Sequence, residues 1–271
     1  MRVLDLFSGI GGGSLGLERA GMQTVAFCEN NDFCQQVLSK HWPHIPIHSD
    51  IEDFDGHQYQ GSVDLIFAGW PCQPWSVAGR RLGSKDNRHL WPEVHRIIRQ
   101  VQPRWFIGEN VPGLVRLGLD PALSDLEDEG YTSQTFNIGA IAVDAPHIRQ
   151  RIFIISHKNV ADSESQRVEG RGSTGQQESH LSAQSVLSGR NSSGSGTSVW
   201  SPQPKFCRIP YGVSRWLDEP EGLKRLVKGC PDRTKRIKAL GNAVVPQVVE
   251  VLGKFIMEIH HNNGHSTEDG D

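Results

Sequence analysis

A run of glycines from Gly9 to Gly16 follows directly on an apolar stretch, Val3–Phe7. After it comes a helical period in Leu15, Leu17 and Ala20, closed by Gly21. A buried strand, a glycine-rich turn and a helix in that order belong to open α/β sheets, where the turn faces a ligand. The rest of the chain repeats the theme. Thr24–Cys28 ends in Glu29 and Asn30, and a helix marked by Phe33, Val37 and Leu38 stops at Trp42 and Pro43. A weak strand at Ile45–His48 ends at Asp50 and Ile51. Val63–Ala68 runs into Gly69-Trp70-Pro71-Cys72-Gln73-Pro74-Trp75-Ser76, and Trp105–Gly108 runs into Glu109-Asn110-Val111. Helical periodicity from Leu90 to Val101 and over residues 119–129 separates strands, and Phe136–Ile138 and Arg151–Ser156 supply two more. This alternation predicts an α/β fold with a mostly parallel, doubly wound sheet.

With 271 residues, 37% of them hydrophobic, the chain can bury one large core. No apolar run reaches the roughly 20 residues that span a bilayer. Arg2–Phe7 lacks a signal-peptide layout, so a cytoplasmic protein without membrane contact is expected. Five cysteines without a C-x-x-C pair, and twelve histidines without H-E-x-x-H, argue against a disulfide framework and against a metal site. The net charge of −3 conceals two basic stretches. Residues 79–104 hold seven Lys/Arg against two Asp/Glu, and residues 205–238 hold ten against four. Such segments suit a face that meets a polyanion, or a plain solvated surface. Residues 162–204 contain twelve Ser and six Gly and few large apolar side chains, which predicts a flexible segment. An amphipathic helix is expected over Val248–Ile259, and a polar, frayed tail from His260.

The chemistry-bearing residues sit where strands end. Gly11, Gly13 and Gly16 match G-x-G-x-x-G, and Glu29 stands at the distance of a ribose-binding acid. A dinucleotide or S-adenosyl-L-methionine would both fit. Asp50 could accept from an adenine amine or cap a helix. Cys72, boxed by Pro71 and Pro74, suits a positioned thiolate nucleophile. Glu109 would share its sheet edge and, desolvated there, could act as an acid, or be a capping or ion-paired glutamate. Arg149 and Arg151 flank a strand start, and alternation places both on one face, where they could hold a carbonyl oxygen, a carboxylate or a phosphate.

In these residues the chain resembles the DNA (cytosine-5)-methyltransferase family. Asp5-Leu6-Phe7-Ser8-Gly9-Ile10-Gly11-Gly12 is similar to the family's first motif, and Gly69–Gln73 to its catalytic motif. Glu109-Asn110-Val111, Arg149-Gln150-Arg151 and Gly241-Asn242-Ala243-Val244-Val245-Pro246 follow in the family's order. The resemblance covers residues 1–157 and about 235–260. It implies a Rossmann-like, S-adenosylmethionine-dependent methyltransferase fold with a small, reduced target-recognition region. The chain then divides into a catalytic and cofactor-binding unit, 1–157, a recognition region, 158–234, a returning segment, 235–262, and a tail, 263–271. The last helix is expected to pack back on the first unit.

The implied reaction flips a cytosine from the duplex, attacks its carbon 6 with Cys72 and methylates carbon 5. Glu109 would serve ring nitrogen 3, and Arg151, with Arg149 nearby, would hold the carbonyl oxygen. Phe7, Ser8, Gly9, Gly11, Glu29, Asn30, Asp50, Ile51, Pro71, Leu90, Asn242 and Ala243 would line the cofactor site. Gln73, Ser76, Arg80, Arg81, Lys85 and Arg88 would meet DNA from a mobile loop. The implied partners are double-stranded DNA and a cognate restriction endonuclease in a restriction-modification system, with the protein a monomer. His147 stands where the family has Gln, and the short recognition region implies relaxed specificity or weak activity. Alternatives are transfer-RNA methylation, a weakly active DNA-binding relative and, from the glycine turn alone, a nicotinamide-dependent oxidoreductase.

Overall fold

Each apolar run of the first half becomes a strand, and each amphipathic stretch becomes a helix beside the sheet. β1 (Arg2–Leu6) leads through the glycine turn into α1 (Gly12–Arg19), and β2 (Gln23–Cys28) into α2 (Asp32–His41). β3 (Ile47–His48) and a 3-10 turn at His57–Tyr59 precede β4 (Leu65–Ala68). Next come α3 (Trp91–Val101), β5 (Trp105–Asn110), α4 (Leu114–Leu117) and α5 (Leu119–Asp128). β6 (Tyr131–Gly139) and β7 (Gln150–Lys158) follow, then α6 (Arg233–Asn242) and α7 (Pro246–Gly264). The computed structural model describes residues 1–71, 90–145, 147–158 and 231–264. The expectations for the loop at 76–89, the segment at 162–204 and the tail from 265 lie outside the described residues, while His260–Gly264, expected as frayed tail, continue the helix α7.

The strands form one sheet in the order β3-β2-β1-β4-β5-β7-β6. β1 to β5 run parallel, and β7 is antiparallel to both β5 and β6. This is the mostly parallel sheet that the alternation predicts, in the Rossmann-like form that the family resemblance implies. Strand order reverses at β1, which lies between β2 and β4, and a ligand crevice opens outside the carboxyl ends at such a switch point.

Period-2 alternation divides the strand side chains between two cores. Leu4, Leu6, Ile66, Phe106 and Ile154 pack with Val94, Ile97, Ile98 and Val101 of α3 and with Ala122 and Leu126 of α5. On the other face, Val3, Leu65, Phe67, Ile107 and Phe153 pack with Leu17 of α1 and with Val248, Val249, Leu252 and Ile256 of α7. The approach of α7 to α1 depends on bare backbone. A Cβ on Gly16 would lie 2.5 Å from the Pro246 carbonyl oxygen, and one on Gly253 would lie 2.8 Å from Ala20 Cβ.

Three elements differ from the sequence expectation. β6 extends over Tyr131–Gly139 rather than Phe136–Ile138 alone, because Thr132, Gln134, Thr135 and Asn137 face solvent from an edge strand and dilute its apolar signal. α6 runs through the expected boundary at 234/235, and of its residues Ala239 alone is buried, so it carries no apolar period to read. The helical stretch Arg233–Asn262 is long and apolar enough by composition to cross a membrane. Val248, Val249, Leu252 and Ile256 of α7 are buried against the sheet, while Ile237, Leu240 and Val251 are exposed.

Candidate functional site

β1 buries one charged side chain among apolar neighbours. Asp5 is wholly buried, and its Oδ2 accepts from the backbone N–H of Ser14 at 3.2 Å and from the Ser14 hydroxyl at 2.6 Å. Burial pushes its carboxyl up to about 7 despite those two bonds. They pin the first turn of α1 to the strand and so fix the span of the glycine turn. Within the turn Gly11 holds φ +82, and an added Cβ would strike the Trp42 ring at 2.5 Å. Gly9, at φ +56, has open space where a Cβ would be. Phe7 is left-handed too, at φ 56, and the buried Ser8 hydroxyl donates to the Asp5 carbonyl at 2.7 Å.

Glu29 follows β2 and reaches back to this turn. Its Oε2 accepts from the Gly9 N–H at 2.7 Å and its Oε1 from the Asn31 N–H at 2.8 Å, with Asn30 exposed beside it. Asp50 lies just past β3. It is exposed, and its Oδ1 accepts from the Glu52 N–H at 2.9 Å, while Ile51 is buried. The carboxylates converge electrostatically: the Cys28 thiol is pushed up to about 12, first by burial and then by the charges of Glu29, Asp50 and Asp5.

A second group gathers at the ends of β4, β5 and β7. Because β7 runs against β5, its first residues lie beside the last residues of β5, with Glu109 opposite Phe153 and Asn110 opposite Ile152. Arg151 thereby reaches Glu109, Nε to Oε1, at 2.8 Å. Both side chains are largely buried, Glu109 11% and Arg151 20% exposed. The cost of burial outweighs the ion pair. The Glu109 carboxyl is pushed above the ordinary carboxylate range by desolvation, while the charges of Arg151 and Arg149 pull it back. The turn after β4 abuts this pair, since a Cβ on Gly69 would lie 3.5 Å from Glu109 Oε2. Asn110 Nδ2 donates to the Trp70 carbonyl at 3.3 Å, and the Trp70 ring packs on Trp91 with centroids 5.2 Å apart.

Arg149 is expected near Arg151, and its guanidinium donates to the Gly241 carbonyl at 2.9 Å and also to the Ala243 carbonyl. Arg149 sits at φ 33, outside the regular strand, so alternation does not set its direction. It still lines one recess with Arg151, Val244 and Val245. The segment it grips lies against the glycine turn, where a Cβ on Gly12 would lie 2.8 Å from the Val244 carbonyl oxygen.

The structure therefore brings together Phe7, Ser8, Gly9, Gly11 and Glu29, the returning segment with Asn242 and Ala243, and separately Glu109 with Arg151 beside Gly69. Pro71 is exposed at the end of the second group, and Leu90 forms the N-cap of α3. Cys72, Gln73, Ser76, Arg80, Arg81, Lys85 and Arg88 lie outside the described residues. The Asp5–Ser14 pair escaped the sequence reading, although an acid inside an apolar strand was a visible signal. Among the described residues no group of three or more His, Cys, Asp or Glu is placed to hold a metal ion.

Residues 1–199 match the family described as C-5 cytosine-specific DNA methylase. The chain is 36% identical over 166 residues to the Type II methyltransferase M.HgiBI of Herpetosiphon aurantiacus, covering 59% of this chain and 38% of that one. It is 38% identical over 160 residues to the Type II methyltransferase M.PspPI of Psychrobacter sp., covering 56% and 38%. The chain thus matches 38% of the length of these relatives. The crystal structure of the S. pombe Dnmt2 methyltransferase superposes with a TM-score of 0.55 at 19% identity, covering 73% of this chain and 58% of that one, a likeness of fold.

Proposed function

Because the chain belongs to the C-5 cytosine-specific DNA methylase family, we propose that it methylates carbon 5 of cytosine in double-stranded DNA with S-adenosyl-L-methionine as donor. The observation that carries this reading is the buried Glu109–Arg151 pair set against the Gly69 turn, next to the chain that enters Cys72. The described residues fit the cofactor. The open face at Gly9 leaves room for a ligand on the glycine turn, and Glu29 offers a carboxylate to ribose hydroxyls once its own backbone donors yield. Gly9, Gly11, Glu29, Asp50, Ile51, Asn242 and Ala243 would hold it, and it would supply the methyl group that carbon 5 accepts.

The chain's own residues do the rest. The target cytosine leaves the stack, because its ring is out of reach inside a duplex. The Cys72 thiolate adds to carbon 6. Glu109, protonated over a wider pH range than an ordinary glutamate, gives a hydrogen bond or its proton to ring nitrogen 3, and electron density moves to carbon 5. Arg151 holds the carbonyl oxygen. After methyl transfer, water takes the carbon-5 proton, the C–H electron pair re-forms the 5,6 double bond and expels Cys72 as thiolate, and nitrogen 3 returns its proton to Glu109. Arg149 acts from behind, through Gly241 and Ala243. The Type II designation of the relatives supports a place in a restriction-modification pair, with a cognate endonuclease as partner. A cytoplasmic monomer suits that role.

Labelled methyl transfer to duplex DNA and to transfer RNA, followed by bisulfite sequencing of the DNA, tests the reading. Cys72→Ser is expected to abolish transfer and leave S-adenosylmethionine affinity close to wild type. Wild-type turnover in that variant, or label on RNA and none on DNA, overturns the proposal.

A further inference from the structure

α3 begins directly after the stretch that carries Cys72, yet one of its side chains serves the opposite end of the proposed cofactor site. Arg96 Nη2 donates to the Ile51 carbonyl at 2.7 Å, and Nη1 donates to the Phe54 carbonyl at 2.8 Å and to Gln100 Oε1 at 3.1 Å. Its Nε pairs with the Glu93 carboxylate at 2.7 Å. Gln100 Oε1 accepts in turn from the Gly56 N–H at 2.9 Å. A surface pair between Arg96 and Glu93 would need no such reach and would contribute little. Here the planar fork spans two backbone carbonyls that lie 45 and 42 positions earlier in the chain.

Those carbonyls belong to the segment that follows Asp50. The ladder between β2 and β3 ends at Cys28 and His48, so the backbone beyond it needs donors from outside the sheet. Arg96 supplies them at both ends of the Ile51–Phe54 bend. Phe54 closes the bend from below. It is buried, stacked on Tyr59 at 5.6 Å and met edge-on by His48 at 4.7 Å. Asp50 is exposed at the mouth of this bend, so the direction of its carboxylate follows from how the bend is held.

We propose that Arg96 is a positioning residue for the adenosine end of the cofactor. It fixes the Ile51–Phe54 backbone, so that Asp50 and Ile51 are presented to the adenine, and it does not touch the cofactor itself. The inference rests on the proposed methyltransferase reading. Arg96 also ties that end of the site to the helix whose first turn carries Trp91 against Trp70, beside the entry to Cys72.

The test is calorimetric titration of the full chain, as wild type, Arg96→Met and Arg96→Lys, with S-adenosylhomocysteine and with 5′-methylthioadenosine. Methyl-transfer kinetics on duplex DNA and the melting temperature of each unliganded protein are measured alongside. Losing one or two charge-assisted bonds behind the site is expected to weaken both ligands about tenfold in Arg96→Met. KM for S-adenosylmethionine should rise by the same factor, with kcat at saturating donor and KM for DNA within about twofold of wild type. Lysine can reach one carbonyl but not both, so Arg96→Lys should fall between, at about threefold. Wild-type affinity in folded Arg96→Met, or a loss in kcat with KM unmoved, overturns the proposal. Should Arg96→Met not fold, Arg96→Lys decides: a loss near threefold supports the proposal and wild-type affinity overturns it. If wild type itself binds neither ligand, the methyltransferase reading falls and this inference with it. Wild-type binding with unaltered variants overturns the inference alone.

Discussion

Two opposing influences set the proton affinity of Glu109. Desolvation favours the neutral acid, Arg151 and Arg149 favour the anion, and desolvation wins. If the proposed chemistry holds, the protonated carboxyl is the working form, so activity should fall as pH rises through its raised pKa. Replacing Arg151 with Met removes a charge that pulls this pKa down, so the pKa rises further. The rate of Arg151→Met should drop, and the basic limb of its pH–rate profile should move to higher pH. A limb that stays put or moves down in single-turnover measurements would show that Glu109 is not the group being titrated. Cys72, Glu109 and Arg151 were legible in the sequence because each stands at the end or start of an apolar strand run. The work of Arg149 and Arg96 was not. Both act on backbone carbonyls far away in the chain, and a carbonyl leaves no mark in a sequence, since every residue carries one.

Among elements, the contact between α1 and α7 is the most exacting. Alanine at Gly16 would gain about 1 kcal/mol of helix propensity. Its Cβ would also lie 2.5 Å from the Pro246 carbonyl oxygen and 2.7 Å from Val249 Cβ. Backbone on the far side cannot swing away as a long side chain can, and overpacking of this kind costs about 1–3 kcal/mol. Gly16→Ala should therefore lower the urea midpoint. It should also weaken S-adenosylhomocysteine, because α1 carries the end of the glycine turn. A midpoint at or above that of wild type would show that the two helices separate at little cost. β1, β2, β4 and β5 were readable from apolar runs alone, since a strand buried on both faces needs no alternation. The outer half of β6 and all of α6 were not. An edge strand that shows polar residues to water, and a helix that buries Ala239 alone, carry little of the periodicity on which such reading depends.

For the whole molecule, the sheet divides the interior into two cores, and one of them is closed from a distant part of the chain. Val248, Val249, Leu252 and Ile256 are all buried on the β1–β4 face. At about 1.5–3 kcal/mol for each buried aliphatic side chain, α7 contributes on the order of 6–12 kcal/mol before entropy. That matches the entire net stability of a typical domain, about 5–15 kcal/mol. A chain ended before Pro246 is therefore expected to lose cooperative folding, read as absence of a thermal transition in far-ultraviolet circular dichroism. A truncated protein that melts cooperatively near the wild-type temperature would refute the assignment of α7 to the core. The overall sheet was legible from the order of strands and helices, and the return of the last helix came only with the family resemblance. Nothing local in Val248–Ile259 says which face of which sheet it will cover.

The α1–α7 contact also has a meaning in time. On the ribosome β1 and α1 emerge well before α7, and the apolar side of α1 then waits, uncovered, while every residue between Arg19 and Pro246 is made. Synthesis at about 5–20 residues per second makes that interval long compared with the formation of a helix or hairpin. The nascent protein thus spends its synthesis with one side of its sheet bare. A stalled or prematurely released chain should be the form that chaperones and proteases meet.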